Sequence, residues 1–312
     1  MCFFLFSLNF GRNVRLCRIA QSNQIRLQTL FDEEDMETKV NVVIISVVAL
    51  ILLGLGLGHA SEKQESQDCP PFSLDMAPDS VDDMYDRCEE KMKEKIETDF
   101  LQNEKNKDKN FTEAWNKAEE YYKREWENNP PLMKEQIMAA HAYTLDEPPL
   151  YSEFNNAVRT QKSVYKTKFL YHTLHFYLTM ALRTIKLNAG NCVTVFRRTN
   201  CKFSKDVLNK EIRLGAFSSS SMGDYPDEEF GTQSCFEIFT CFGANISKFS
   251  EFPEESEVLI PPYEVFRVTD IKERSKHSEL PCEVVYKLQS TNNPLSKLNC
   301  DLIEKKRPHG FN

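Results

Sequence analysis

The second half of the chain alternates between short apolar runs and breaks rich in Gly, Pro, Asn or Ser. The alternation is clearest at Val284, Tyr286 and Leu288, where polar residues occupy positions between the apolar ones. A period of two is typical of a strand with one buried face. The pattern predicts five strands, at 192–199, 212–219, 235–242, 257–271 and 282–290.

The preceding region, up to about residue 188, has a pattern typical of helices. Glu, Lys, Met and aromatic residues are frequent there, and Pro is confined to the breaks between helical stretches. One core-facing stripe at helical spacing consists of Leu174, Leu178, Ala181, Leu182 and Ile185. We therefore expect an α+β fold, with helices first and a two-sheet β core after them.

A long apolar run, from Val40 to Gly58, precedes both regions. It is followed by His59, Ala60 and then polar residues, which is typical of a secretory signal cleaved after Ala60. Because Met36 stands just before this run, we interpret residues 36–60 as a signal peptide and 1–35 as an upstream extension. A run of about 19 apolar residues also just spans a bilayer, so a type II membrane anchor stays as the alternative.

The remaining residues, 61–312, are interpreted as a single domain, mainly helical over 61–188 and β-rich over 189–312. The final residues, 305–312, are polar and basic, whereas a lipid-anchor signal has a hydrophobic tail. We expect a freely secreted protein without stable membrane association.

The net charge of the chain limits the classes of partner that it is expected to bind. The formal net charge is −8 over 312 residues. Nucleic acids and anionic membranes attract clustered Lys and Arg, so an acidic chain argues against both as partners. A dinucleotide is not excluded, because its phosphates need only a local Arg and a few backbone donors.

Cysteine usage agrees with export. Eight of the ten cysteines follow Ala60, and an even number in an exported chain predicts disulfide bonds. Their spacing does not match a zinc site, and His172 and His175 lack a neighbouring carboxylate motif, so we expect no metal. Asn110 and Asn245 begin Asn-x-Ser/Thr sequences and are predicted glycosylation sites.

Candidate chemistry lies in Glu255 and Glu257, at the start of an apolar run. If this segment is extended, the two side chains point to the same side. Close carboxylates cannot both ionise freely, so one pKa rises and the two groups can take different catalytic roles. A Glu-x-Glu pair is also common on solvated surfaces, so the pair alone does not establish an active site.

The preceding residues give the pair a context. Arg197 lies near the end of one predicted strand, four serines follow at 218–221, and the two glutamates come next. This order, together with the segments 81–85, 174–182 and 240–244, resembles the vertebrate arginine-specific mono-ADP-ribosyltransferases. These secreted and cell-surface enzymes move ADP-ribose from NAD to protein arginine. The resemblance covers about residues 69–302 and implies that NAD lies in a cleft between the two sheets.

The resemblance also implies a role for each residue. Arg197 would hold the NAD phosphates, which suit its planar donors. Ser219 and its partner Ser221 would orient the ribose or the catalytic carboxylate. Glu257 would bind the nicotinamide-side ribose and stabilise the positive charge that develops as the glycosidic bond breaks. Glu255 would orient the target guanidinium and help remove its proton.

The expected co-substrate is NAD, and the expected partners are arginine-containing target proteins. Segment 245–254 occupies the place where such enzymes recognise their protein substrate, with Phe249 and Phe252 as predicted contacts. One departure is Arg198, because the family usually has Gly after its strand Arg. Arg198 would either obstruct NAD or add a phosphate contact. An NAD glycohydrolase with water as acceptor and an inactive secreted binding protein are therefore the alternatives.

Disulfide connectivity does not follow from the sequence alone, because eight cysteines allow 105 pairings. The resemblance suggests the pairs Cys88–Cys300 and Cys192–Cys241. We assign the remaining four cysteines as Cys69–Cys282 and Cys201–Cys235.

Overall fold

The structure, a computed structural model, describes residues 73–303, without the side chains of 187–189. The predicted upstream extension, the predicted signal segment and Cys69 lie outside these residues. Within 73–303, no helix is both long and apolar enough to span a bilayer.

Within residues 73–303, six α-helices precede the strands, in the region where the sequence predicts helices. They are α1 (Glu89–Lys95), α2 (Leu101–Lys107), α3 (Lys109–Glu125), α4 (Lys134–Thr144), α5 (Leu150–Thr160) and α6 (His172–Ala189). A π-helical turn, Ile96–Phe100, joins α1 to α2. The predicted stripe of α6 is confirmed, because Leu174, Leu178, Ala181 and Leu182 are all fully buried.

Side-chain acceptors fix the starts of two helices. Asp108 accepts a hydrogen bond from the N–H of Phe111 and so caps α3. The buried carboxylate of Glu104 accepts the N–H groups of His172 and Thr173 at the start of α6. Helix N-termini favour negative charge, so Glu104 joins α2 to α6 through a carboxylate that burial would otherwise disfavour.

Eight strands follow the helices. They are β1 (Val193–Thr199), β2 (Glu211–Ile212), β3 (Ser218–Met222), β4 (Ser234–Thr240), β5 (Ala244–Asn245), β6 (Glu257–Ile260), β7 (Phe266–Glu273) and β8 (Val284–Ser290). Hydrogen bonds connect them in the order β2-β7-β8-β4-β1-β3-β6-β5. The α+β class is confirmed, but the strands form one mixed sheet by hydrogen bonding where two sheets were expected. Only β4 and β8 pair in parallel among these strands.

Two predicted strands are each divided in the structure. The run 212–219 contains β2 and the start of β3, separated at Gly215, whose φ of +78° suits a residue without Cβ. The run 257–271 contains β6 and β7, separated where Pro261 and Pro262 remove two ladder donors. Apolar composition alone did not reveal these turns, because residues 213–217 and 261–265 are largely buried as well.

Most buried apolar residues of the described chain form two cores, one mainly among the helices and one on the sheet. The helical core includes Phe154 of α5 and Phe217, which leads into β3; their rings stack 5.5 Å apart. The sheet core includes Val195, Val258 and Tyr286. Strand β6 contributes to both cores, and β3 follows Phe217 of the helical core. Packing therefore holds the polar side chains of both strands in a fixed position.

The two ends of the described chain meet at a pair of buried acids. Asp82 accepts hydrogen bonds from the N–H groups of Lys297 and Leu298 and pairs with Arg213 at 2.6 Å, with both side chains fully buried. Asp83 accepts the N–H of Cys300. The segment near residue 80 therefore serves as the attachment point for the segment near residue 300.

Three disulfides connect described residues. Cys88–Cys300 and Cys192–Cys241 are present, as the resemblance suggested. The third links Cys235 to Cys282, so the assignments Cys69–Cys282 and Cys201–Cys235 are wrong. Cys201 is disulfide-bonded as well. The error arose because β4 and β8 pair in parallel and bring Cys235 beside Val285, a neighbour relation that sequence spacing does not encode.

Candidate active site

A cleft of about 470 Å³ opens at the ends of β1, β3 and β6. Residues of these strands line its floor, and segments 222–230 and 254–256 form its outer walls. The cleft brings together five of the predicted site residues, Arg197, Ser219, Ser221, Glu255 and Glu257. Residues that are up to 60 positions apart in sequence therefore converge on one cavity, as expected of a binding site.

Glu257 is the first residue of β6 and is only 6% exposed. Burial raises the pKa of its carboxyl group to about 7. A hydrogen bond with Ser219 and the charge of Arg197 partly oppose that rise, whereas the charge of Glu255 adds to it. A buried carboxylate that is half ionised near neutral pH and opens onto a cleft is a strong candidate for a catalytic group.

Glu255 lies in a different environment, at the end of the 3₁₀ turn Pro253–Glu255. Ser256 follows in the left-handed region, with a φ of +50°. The segment is therefore not extended through both glutamates, because this turn separates Glu255 from Glu257. Glu255 is exposed, and its pKa is raised first by partial burial and then by the negative charges of Glu254, Asp146 and Glu229.

Other carboxylates gather at this outer end of the cleft. They are Asp146, Asp224, Asp227, Glu229 and Glu254. None of the ion pairs within residues 73–303 involves any of them. The mouth of the cleft thus presents a negative field that internal cations do not neutralise, and such a field attracts cationic groups.

The serine run takes one definite register in β3. Ser218 and Ser220 are buried, whereas Ser219 and Ser221 are partly open on the other face of the strand. Ser219 bonds with Glu257 and lies 3.4 Å from the hydroxyl of Tyr143. Ser221 donates to the backbone carbonyl of Glu255 at 3.1 Å, so it fixes the turn that carries the second glutamate.

Arg197, on β1, completes the inner end of the cleft. Its guanidinium donates to the backbone carbonyl of Ser219 at 2.6 Å, which ties β1 to β3. Burial lowers the pKa of Arg197 from its ordinary value, and the nearby Tyr143 and Glu257 counteract this shift. The group keeps its charge under all physiological conditions, because an arginine titrates far above neutrality.

Three polar residues of the helical region lie close to the inner end without lining the cleft, and the sequence analysis missed them. Tyr143 of α4 accepts a hydrogen bond from the amide of Asn155 at 2.9 Å and has its pKa raised by burial to about 12. Arg159, one turn after Asn155 on α5, is close enough to Arg197 for their charges to repel. The only sequence signal was a polar pair at i and i+4 between the buried residues of an amphipathic helix.

Comparison with known proteins agrees with this geometry. The family model described as NAD:arginine ADP-ribosyltransferase matches residues 74–289. The chain belongs to this family. Human ecto-ADP-ribosyltransferase 5 is 36% identical over 275 residues, which cover 83% of this chain and 92% of that protein. The chicken erythroblast NAD(P)(+)–arginine ADP-ribosyltransferase is 34% identical over 269 residues, or 83% of this chain and 85% of its own length.

Solved structures give the same result for this ADP-ribosyltransferase. The crystal structure of the mono-ADP-ribosyltransferase ART2.2 aligns with a TM-score of 0.61 and 30% identity, over 74% of this chain and 99% of that one. A mutant of the same enzyme in complex with NAD aligns equally well, with a TM-score of 0.61. The fold of the described domain is therefore the ADP-ribosyltransferase fold.

The segment predicted to recognise the protein substrate is only partly accessible in this ADP-ribosyltransferase. Phe249 is 4% exposed, packs against Trp126, and accepts a hydrogen bond from His141 through its carbonyl. Because a core residue is not available to a docking protein, Phe249 is removed from the recognition surface. Phe252 is half-buried beside the turn that carries Glu255.

Arg198, the departure from the family pattern, lines the cleft beside Arg197. Its guanidinium donates to the carbonyl of Pro281 at 3.0 Å and lies 5.6 Å from the ring centre of Tyr225. The bulky side chain is therefore held against the wall segment 222–230. Among residues 73–303, no group of His, Cys, Asp or Glu side chains is arranged to bind a metal ion.

Proposed function

We propose that the domain is an NAD–protein-arginine ADP-ribosyltransferase that works by the chemistry of the cleft between β1, β3 and β6. The observation that carries the proposal is the buried Glu257, hydrogen-bonded with Ser219 and next to the cation of Arg197. Family membership supports the same activity.

Arg197 and Arg159 provide the positive charge that a dinucleotide diphosphate requires. Arg197 lines the cleft, and Arg159 lies close enough for the two positive charges to repel, a repulsion that an anion between them relieves. The hydrogen bond from Arg197 to the Ser219 carbonyl orients the guanidinium group of Arg197 before NAD binds. The inner end therefore binds NAD by its phosphates and points the nicotinamide-side ribose toward Glu257.

Glu257 acts in its ionised form on that ribose. As the bond to nicotinamide breaks, positive charge develops on the sugar, and a carboxylate buried in a low-dielectric cleft stabilises that charge strongly. Ser219 holds the carboxylate through its hydroxyl, and Tyr143 holds Ser219. These groups fix the carboxylate before the reaction, so little reorganisation is needed at the transition state.

Glu255 acts on the acceptor. Arginine is a poor nucleophile while it is charged, so a carboxylate at its guanidinium is required to orient it and accept a proton. Glu255 suits this role, because its pKa is raised and it is exposed at the outer end of the cleft. The unpaired carboxylates around it favour a cationic acceptor, and the partly exposed Phe252 offers an apolar contact beside it.

Incubation of the purified protein with labelled NAD, with and without an arginine-rich protein, tests the proposal. Label in the acceptor supports the transferase, and its removal by Glu257→Gln ties the activity to this cleft. Free ADP-ribose without any labelled acceptor would identify an NAD glycohydrolase instead. Absence of both products would contradict enzymatic activity at this site.

We further propose that the protein works outside the cell. Its three described disulfides are typical of an oxidising compartment, and several relatives are named as ecto-enzymes. Both predicted glycan acceptors, Asn110 and Asn245, have exposed side chains. Recovery of the glycosylated protein from the medium of expressing cells is the expected result, and retention of all of it in the membrane fraction would support an anchored form.

A further inference from the structure

The outer wall segment 222–230 is firmly attached at its far end. Gly231, next in the chain, has a φ of +129°, and a Cβ there would lie 2.2 Å from the carbonyl carbon of Thr199 and 2.4 Å from the nitrogen of Asn200. Thr232 donates its N–H to the side chain of Asn200. The segment therefore returns to the sheet at a site that only glycine can occupy.

Tyr225, in the middle of the wall segment, is attached in a different way. Its ring lies against Phe196, with centres 4.7 Å apart, and against the guanidinium of Arg198, 5.6 Å from the ring centre. Phe196 and Arg198 are two positions apart on β1 and so extend from the same face of that strand. The ring of Tyr225 therefore contacts both the ring of Phe196 and the guanidinium of Arg198.

Arg198 is fully committed to this arrangement. One of its terminal nitrogens donates to the carbonyl of Pro281 at 3.0 Å, and its Nε is buried without an acceptor among the described residues. A buried donor without a partner is unfavourable, so the placement does not maximise the hydrogen bonding of Arg198. Arg198 also lines the cleft, but the burial of Nε excludes a bidentate phosphate contact that uses this nitrogen.

We propose that Arg198 is a positioning residue that holds the wall segment 222–230 over the NAD cleft by stacking on Tyr225, and thereby sets the affinity for NAD. The inference rests on the proposed function. It also accounts for the departure at this position, where the resemblance leads one to expect Gly: the large side chain supports the wall of the cleft that it lines. Cation–π attraction between Arg and Tyr is strong enough at a partly desolvated site to change a binding constant several-fold.

NAD binding to four variants, each also carrying Glu257→Gln to prevent turnover, tests the proposal by calorimetry. We expect Arg198→Ala and Tyr225→Ala each to weaken binding about three- to tenfold. The double variant should bind no more weakly than the weaker single variant, because both substitutions break the same contact. Arg198→Lys, which keeps a cation over the ring, should recover part of the affinity.

Arg274→Ala is the matched control. Arg274 donates to the carbonyl of Leu280, next to the Pro281 carbonyl that Arg198 contacts, but Arg274 does not line the cleft. Its loss should leave NAD affinity unchanged, and melting temperatures identify any variant that is simply unfolded. In the otherwise unsubstituted enzyme, the KM for NAD should rise while kcat changes little.

Two results would overturn the proposal. One is unchanged NAD affinity in Arg198→Ala, and the other is losses that add in the double variant, which would mean that Arg198 and Tyr225 contact NAD independently. These results differ from failure of the proposed function, in which the reference protein carrying Glu257→Gln alone, and the unsubstituted enzyme, would bind no NAD at all.

Discussion

Glu257 and Glu255 stand two positions apart, yet the fold places them in contrasting surroundings. Glu257 begins a buried strand, with a hydrogen-bonded serine and a nearby guanidinium. Glu255 ends an exposed turn, among other carboxylates. One residue, Ser256 in the left-handed conformation, makes the difference. The contrast teaches that chemical division of labour depends on local backbone geometry, because identical side chains acquire different charge behaviour on either side of one turn.

The largest expected effect follows from removal of the buried charge. Glu257→Gln keeps shape and hydrogen bonding but removes the negative charge, so both hydrolysis of NAD and transfer to arginine should fall by about a thousandfold or more. Release of nicotinamide measures this directly. Glu254→Gln, a neighbouring exposed carboxylate, is the control and should retain most activity. Near-normal activity of Glu257→Gln would contradict the assignment of the cleft.

Removal of the exposed carboxylate should separate the two reactions. Glu255→Gln is expected to lower transfer to arginine about a hundredfold, as is typical when a general base is lost. Hydrolysis of NAD should persist, because Glu257 is untouched. The ratio of labelled acceptor to free ADP-ribose measures the separation. Equal losses in both reactions would show that the two carboxylates do not divide the chemistry.

The pH dependence should carry the signature of the buried site. Burial raises the pKa of Glu257 to about 7, and the ionised form is the active one. The value of kcat/KM for NAD hydrolysis should therefore fall about tenfold for each pH unit below 7. Glu255→Gln should keep this acidic limb, shifted slightly downward because one neighbouring negative charge is gone. A flat profile between pH 5 and 7 would contradict the role of Glu257.

The smallest effect concerns stability. Because the pKa of Glu257 rises from 4.5 to about 7 on folding, the folded state binds this proton more tightly than the unfolded state. Below pH 4.5 the group is protonated in both states and costs no stability. The cost develops between pH 4.5 and 7, where only the unfolded state loses the proton, and it levels off above pH 7 at about 3 kcal/mol. Glu257→Gln should be more stable than the parent protein at pH 8, with a smaller difference at pH 5.

Urea unfolding at the two pH values measures that difference. Glu255→Gln is the comparison, since its exposed side chain should change stability by no more than about half a kcal/mol. If Glu257→Gln is destabilised equally at both pH values, the Glu257 carboxylate stabilises the fold, and its burial does not lower the free energy of unfolding.

The sequence was informative where chemistry and local pattern coincide. Arg197, the alternate serines and Glu257 lie on strands with recognisable apolar flanks, and Glu255 immediately precedes one of them, so their convergence could be anticipated from the resemblance. Tyr143 and Arg159 could not, because they reach the cleft from helices whose packing on β3 is a long-range property. The Ser256 turn was missed because no glycine marks its left-handed residue.

The strand arrangement also separates local features, which the sequence predicts, from long-range features, which it does not. The buried stripe of α6 and the period-two pattern of β8 were predicted because each is a local property of the chain. The parallel pairing of β4 with β8 joins strands separated by some fifty residues, and with it the bond between Cys235 and Cys282. Nothing in the spacing of these residues distinguishes that partner from its competitors.

The attachment of residue 300 to residue 83 also governs how the domain can be made. Asp82 obtains its backbone N–H partners from a segment about 215 positions later. A ribosome that adds about 5–20 residues per second needs roughly ten to forty seconds to deliver that segment. Until then the two acids and Arg213 cannot be buried together, so the nascent chain leaves the tunnel with its first segment undocked. The domain completes its folding once the segment near residue 300 reaches the segment near residue 80.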